Sequence, residues 1–243
     1  MIIHRAKIFE NFPEIIFGFC TKIGNGNNGK FGFNLSKSIG ENEEIVKENR
    51  NEFFKNIDLS TDKVIVQKQT HSDIINYIEQ FSNTLTGDAL ITKKVDLGLA
   101  VSTADCTNIY IYDPKVKIIA AVHSGWEGTE KKILEKTVNK LFGDFACNPK
   151  DFIVYFGPSI SQKNYEVGKE FENKFDKKYL MPNKEKYLLD LKTANKDMLL
   201  NFGVPEDQIE IDENCSYGNP IFQSYRRDKQ NSGRALGIIA MRN

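Results

Sequence analysis

Short apolar or β-branched runs alternate with amphipathic stretches along this chain. Ile15 to Cys20, Val64 to Gln69, Gly98 to Ser102, Lys117 to His123 and Phe152 to Gly157 are rich in strand-forming residues. Asn42 to Ile57 is polar overall but carries Ile45, Val46, Phe53, Phe54 and Ile57 at roughly helical spacing, which predicts a helix with one buried face. Between the last two of those strands, Thr129 is placed to cap a helix bearing Ile133, Leu134, Val138, Leu141 and Phe142 and ending near Gly143. Asp190 is placed to cap another, with Leu191, Ala194, Met198, Leu199 and Phe202, stopped by Gly203 and Pro205. Ile209 to Asp212 and Leu236 to Met241 read as closing strands. No repeat, low-complexity stretch or linker interrupts the alternation, which predicts a single compact α+β domain spanning residues 1–243.

Composition narrows the function classes. A chain of 243 residues with 40% hydrophobic residues can bury a substantial core. Lys+Arg and Asp+Glu are both 33, a balance that argues against binding nucleic acid or an anionic membrane. The N-terminal residues Met1 to Lys7 become charged too soon for a signal peptide, and no apolar run approaches the roughly 18 residues of a membrane span. Cys20, Cys106, Cys147 and Cys215 are widely spaced with no C-x-x-C pair, so a disulfide framework is not expected. A reduced, cytoplasmic protein, a monomer or small homo-oligomer, is the expectation.

Candidate chemistry concentrates in His71, Cys106 and His123. The chain has only three histidines and four cysteines, and each of these three residues follows or ends a β-rich run. Two imidazoles and a thiolate suit zinc, and three protein ligands leave a fourth position free. Taken singly, a cysteine beside an apolar strand is usually a small core residue and a lone histidine a satisfied polar one; the spacing matches no compact zinc signature. Trp126, the only tryptophan, lies between Gly125 and Gly128 just after His123, where an indole can stack on a flat ring or simply fill a tight strand-to-helix turn. Gly157-Pro158-Ser159 is a rigid turn with a hydroxyl. Arg226 and Arg227, followed by Ser232-Gly233-Arg234, concentrate guanidinium forks that bind phosphate or form a solvated, salt-bridged face. Gly24 to Gly29 fits G-x-G-x-x-G, but no helix pattern follows it, so it reads as a loop rather than a dinucleotide fingerprint.

Taken in order, the motifs Gly32-Phe33-Asn34-Leu35-Ser36, Gln69-Thr70-His71, Gly87-Asp88-Ala89, Thr103-Ala104-Asp105-Cys106, Ala121-Val122-His123-Ser124-Gly125-Trp126, Gly157-Pro158-Ser159-Ile160, Cys215-Ser216-Tyr217 and Ser224-Tyr225-Arg226-Arg227-Asp228 are similar to those of the YfiH-like family. Its members are also called laccase-domain or polyphenol-oxidase-like proteins and are described as purine nucleoside phosphorylases. The resemblance runs nearly end to end. It implies a layered α/β/β/α sandwich with mixed sheets, and His71, Cys106 and His123 as metal ligands and catalytic centre. Zinc is the implied ion and copper the second candidate; several copper centres would need more imidazoles than three histidines supply. The implied activity is phosphorolysis of adenosine, inosine and S-methyl-5′-thioadenosine, with adenosine deamination accompanying it. The chain lacks the H-x-E and P-C-x-x-C of zinc nucleobase deaminases, so that second activity would be a separate invention.

Asn34, Trp126, Ser159, Arg226 and Arg227 are the candidate substrate-binding residues, with Arg226 or Arg227 for phosphate and Ser159 as a second donor. Glu127 or Asp73 is the candidate proton carrier. Two positions depart from the family pattern: Glu127 stands where an arginine is usual, a carboxylate that would repel phosphate, and Asn108 stands where a proline is usual. Two other readings follow from the same residues. One is a metal-independent cysteine hydrolase, with Cys106 as nucleophile, His123 as base and Asp105 or Asp88 orienting it. The other is a non-catalytic protein that binds a nucleoside or a cell-wall precursor.

Overall fold

In the strand Thr107–Asp113, Tyr110 and Tyr112 alternate with Ile109 and Ile111, and the two pairs enter different cores. That alternation organises the molecule, which is described here from a computed structural model over residues 1–24, 29–82 and 84–242. Residues 25–28 lie outside the described residues, and with them most of the loop expected at Gly24 to Gly29.

The strands are β1 (Ile3–His4), β2 (Ile15–Cys20), β3 (Val64–Val66), β4 (Ile75–Tyr77), β5 (Ala89–Thr92), β6 (Gly98–Thr103), β7 (Thr107–Asp113), β8 (Ile118–Ser124), β9 (Ile153–Phe156), β10 (Glu166–Val167), β11 (Leu180–Asn183), β12 (Lys186–Leu189), β13 (Ile209–Ile211) and β14 (Ala235–Met241). The helices are α1 (Glu43–Lys55), α2 (Trp126–Glu130), α3 (Ile133–Phe145), α4 (Leu191–Asn201) and α5 (Tyr225–Asp228). One sheet has the order β1-β2-β14-β6-β3 and the other β13-β9-β7-β8-β5-β4. Both are mixed: β3 runs parallel to β6, and β4 and β13 run parallel to β5 and β9, while the remaining pairs are antiparallel.

Period-two alternation sends Tyr110, Tyr112, Ile119, Ala121 and Tyr155 into the core shared with Phe17, Phe19, Leu99 and Val101 of the facing sheet. The opposite face, Ile109, Ile111, Val122 and Val154, packs on Ile133, Leu134, Val138 and Leu141 of α3 and Leu199 of α4. On the far side, α1 buries Val46, Phe53 and Phe54, and Ile57 just beyond it sits so close to β2 that a Cβ on Gly18 would lie 2.7 Å from its Cγ2. The fold is thus the single-domain α/β/β/α sandwich of mixed sheets that the family resemblance implied. A third sheet, β10-β12-β11, packs Val167, Leu180 and Leu189 with Phe171 and Phe175 beside Trp126.

Four expectations change. β5 and β7 are absent from the expected strands: β5 is only four residues long, and β7 opens on Thr107 and Asn108 and closes on Asp113, which interrupts its apolar run. The run Val64 to Gln69 is a strand only to Val66; Gln69 then joins β6 through its side chain, donating from Nε2 to the Ser102 carbonyl at 2.8 Å and accepting from the Ser102 N–H at 2.7 Å. Thr129 caps nothing: it lies inside α2, a helix begun at Gly125, and its hydroxyl donates back to the Gly125 carbonyl at 2.9 Å. The chain breaks at Lys132 (φ 61°) before α3, on which Phe142 is 61% exposed rather than buried.

Candidate metal centre and cleft

The parity that places Ile119 and Ala121 of β8 between the two sheets also directs His123 there, at the end of the strand where the interlayer opens. Asn108 of β7 pairs with His123 across the ladder, so Cys106, two residues earlier, arrives beside it. His71 comes from the loop after β3, aligned by the Gln69 clamp. The side-chain ligand atoms of His71, Cys106 and His123 all lie within 4.8 Å of one another. The imidazole rings meet edge to face at 5.1 Å. Gly125 is needed for this approach: a Cβ there would lie 3.0 Å from Cys106 Sγ and 3.3 Å from His71 Cδ2.

Asp88, fully buried, orients the group. Its Oδ1 accepts from His123 Nδ1 at 2.9 Å and from the His71 N–H at 3.1 Å. Its Oδ2 accepts from the N–H groups of Thr70 and Ser72 and from the Ser72 hydroxyl, at 3.1, 2.7 and 2.6 Å. The carboxylate thereby holds His71 in a left-handed conformation (φ 57°) and keeps a proton on Nδ1 of His123, so that Nε2 is the nitrogen that can release its proton and bind a metal ion. Burial opposes charge on Asp88, yet the hydrogen bonds from His123 and Ser72 hold it well below the usual carboxylate range. Burial likewise opposes charge on Cys106 and His123, but each favours the charged form of the other: the thiol is lowered by both imidazoles, and His123 is raised by Cys106 and Asp88. A thiolate and two imidazoles facing an open side are a donor set that can hold a metal ion.

That open side is a cleft of about 700 Å³. Trp126 and Arg226 line it, together with Tyr165, Tyr225, Lys68 and Arg234. Trp126 packs on Phe171 at 5.1 Å between ring centroids, and Arg226 lies over Tyr165 at 5.2 Å while its Nη1 donates to the Glu166 carbonyl. The other predicted substrate residues do not reach the cleft. Arg227 points the opposite way from its neighbour: its donors are taken by the carbonyls of Ser216, Tyr217 and Phe222 and by Asp228. Asn34 is buried, accepting from the N–H groups of Ser36 and Arg234 and donating to Glu41. Ser159 is buried, with no partner for its hydroxyl among the described residues, and only its neighbour Ile160 lines the cleft.

Both departures from the family pattern also fall outside the cleft lining. Glu127 ion-pairs with Lys131 at 3.3 Å, and Lys131 donates to the His71 carbonyl at 2.7 Å, so the carboxylate is neutralised locally. Asn108 donates to the Pro158 carbonyl at 3.0 Å and packs so tightly on Gly157 that a Cβ there would meet its Oδ1. Asp73 is paired with Lys136. Asp88, Lys68, Tyr165, Tyr225 and Arg234 were not among the predicted ligand or substrate residues. Only Asp88, a charge wedged between a glycine and an apolar strand, carries a visible signal of burial in the sequence.

All four cysteines are unpaired thiols, and no helix among the described residues is long and apolar enough to cross a membrane. The third histidine, His4, is engaged by Asp212, so the histidines of this chain assemble one such cluster and not several. A family model described as multi-copper polyphenol oxidoreductase laccase matches residues 16–242. A purine nucleoside phosphorylase of Bacteroides thetaiotaomicron is 33% identical over 94% of this chain and 92% of its own length. The purine nucleoside phosphorylase YfiH of Escherichia coli is 32% identical over 85% of each chain. The crystal structure of a hypothetical protein YfiH of Bacillus licheniformis superposes with a TM-score of 0.90 at 27% identity, covering 96% of this chain and 95% of that one. With the family model spanning nearly the whole chain and relatives above 30% identity over most of both lengths, the chain belongs to the YfiH-like, laccase-domain family.

Proposed function

We propose that this protein is a purine nucleoside phosphorylase acting on adenosine, inosine and S-methyl-5′-thioadenosine, with adenosine deamination as an accompanying activity, at a zinc site formed by His71, Cys106 and His123. The observation that carries this reading is the opening of the three-ligand cluster directly onto a cleft lined by aromatic rings and cations. The relatives named purine nucleoside phosphorylase support it. In phosphorolysis, a phosphate oxygen bonds to ribose C1′ as the C1′–N9 bond breaks; the electron pair leaves with the purine, which takes up a proton, and ribose 1-phosphate remains. Trp126, Tyr165 and Tyr225 offer flat faces for the base, and the cleft cations offset the charge of phosphate. Zinc, when bound, supplies a Lewis acid and lowers the pKa of water to about 7. Asp88 holds His123 in the tautomer that leaves Nε2 available.

One observation favours a second reading. Cys106, His123 and Asp88 stand in the order of a nucleophile, a base and an orienting acid, the arrangement of a metal-independent cysteine hydrolase. Incubating the protein with each nucleoside and phosphate, with elemental analysis alongside, separates the readings. Free base and ribose 1-phosphate from protein holding about one zinc per chain, both lost in His71→Ala, Cys106→Ala and His123→Ala, support the phosphorylase. Activity that survives chelation but not thiol alkylation would replace it with the hydrolase, and nucleoside binding without turnover would replace it with a binding protein.

A further inference from the structure

The cleft carries more positive charge than its own carboxylates balance. Lys68, Arg226, Lys229 and Arg234 line it, against a single lining carboxylate, Asp105. Both Asp105 oxygens are occupied, accepting from the Ser216 hydroxyl at 2.7 Å and the Arg226 N–H at 2.6 Å. Among the described residues none of the four cations forms an ion pair. Cations held at a cleft wall without a counter-charge are a site for an anion.

Both arginines lie over a tyrosine and donate from Nη1 alone; what separates them is the pair of hydroxyls brought beside Arg234. Arg226 spends Nη1 on the Glu166 carbonyl and lays its guanidinium on Tyr165. Arg234 lies over Tyr225 at 5.5 Å and donates from Nη1 to the carbonyls of Ser232 and Gly233 at 3.0 and 2.9 Å, so among the described residues Nε and Nη2 find no acceptor. Burial pulls its guanidinium below its ordinary value, the sign of a desolvated cation. The backbone beneath it is fixed: Asn34 Oδ1 accepts from the Arg234 N–H at 2.9 Å and from the Ser36 N–H at 3.0 Å, and the Leu35 N–H donates to the Arg234 carbonyl at 3.1 Å. This knot brings the segment carrying Ser36 and Ser38 to the side of Arg234. Their hydroxyls, 2.8 Å apart, line the same cleft.

We propose that Arg234, with Lys68 as the second cation and the Ser36 and Ser38 hydroxyls as further donors, forms the subsite for inorganic phosphate, and that Arg226 instead forms part of the wall. The catalytic meaning of the subsite rests on the phosphorylase reading; its anion binding does not. The test is titration of the purified, metal-loaded protein with inorganic phosphate by calorimetry, alongside steady-state kinetics. Arg234→Met should weaken phosphate binding, and raise the KM for phosphate, by at least about tenfold, the loss expected when a charge-assisted fork is removed. Arg234→Lys and Lys68→Met should each give a smaller loss in the same direction, and nucleoside affinity measured without phosphate should stay within about twofold. Should Arg234→Met fail to fold, the Arg234→Lys and Lys68→Met titrations decide. Wild-type protein that binds no phosphate, unchanged binding in the Arg234 and Lys68 variants, or a loss confined to Arg226→Met would overturn the subsite. Phosphate binding that weakens as described, in a protein making no ribose 1-phosphate, would leave the subsite standing and remove the phosphorylase reading alone.

Discussion

Asp88→Asn is the most demanding test of how the metal centre is built. The change keeps the shape of the side chain but replaces one of two acceptor oxygens with an NH₂ group, in a place where five donors converge. If the NH₂ group takes the Oδ2 position, it faces the N–H groups of Thr70 and Ser72, and each buried donor left unpaired costs about 1–3 kcal/mol. If it takes the Oδ1 position, only the His71 N–H is left unpaired, because His123 can shift its proton from Nδ1 to Nε2 and accept at Nδ1 instead. The second arrangement costs less. Its consequence is a His123 whose Nε2 carries hydrogen and no longer offers a lone pair toward Cys106. The expected result is therefore a loss of zinc affinity of roughly 10–100-fold, the range for changes to groups that orient metal ligands. It should come with a modest destabilisation of about 1–3 kcal/mol from the orphaned His71 N–H. Competition against a chromophoric chelator measures the first and thermal melting of the metal-free protein the second. An Asp88→Asn protein that keeps wild-type zinc affinity while folding normally would refute the reasoning, because it would show that the Asp88–His123 bond does not set the tautomer of the ligand.

Gly125→Ala tests the close packing behind the cluster. The added methyl would sit 3.0 Å from Cys106 Sγ, so the thiol or the strand-to-helix turn must give by several tenths of an ångström, and zinc affinity should fall at least about fivefold with little change in melting temperature. Unchanged affinity would mean the turn moves freely. Glu127→Arg restores the usual family charge at a position that pairs with Lys131 rather than facing the cleft. Its phosphate KM should not fall; a clear decrease would show that the side chain reaches bound phosphate.

Much of this protein is legible one segment at a time. The Asp190 cap is seen in the structure accepting from the Thr193 N–H, and α1 runs Glu43–Lys55 inside the stretch that periodicity marked. His71, Cys106 and His123 stood out through scarcity and their places near strand ends, and the structure brings them together. Spacing of apolar residues and cap chemistry act over a few residues, so they can be read locally. What could not be read locally is which polar groups the fold buries and what they meet there. Arg226 and Arg227 are neighbours of one type, yet one lines the cleft and the other is spent on carbonyls, because successive residues of a short helix turn face different surroundings.

Only the tertiary structure joins Asp88 to His123 across 35 residues, Asp105 to the Arg226 N–H across 121 and Asn34 to the Arg234 N–H across 200. A buried carboxylate or amide must find partners wherever the packed layers place them, and those partners come from strands and loops distant in the chain. The sequence by itself therefore determined most of the elements and the three candidate metal ligands. Which carboxylate orients them and which arginines are left without a counter-charge depended on the packing of the two sheets.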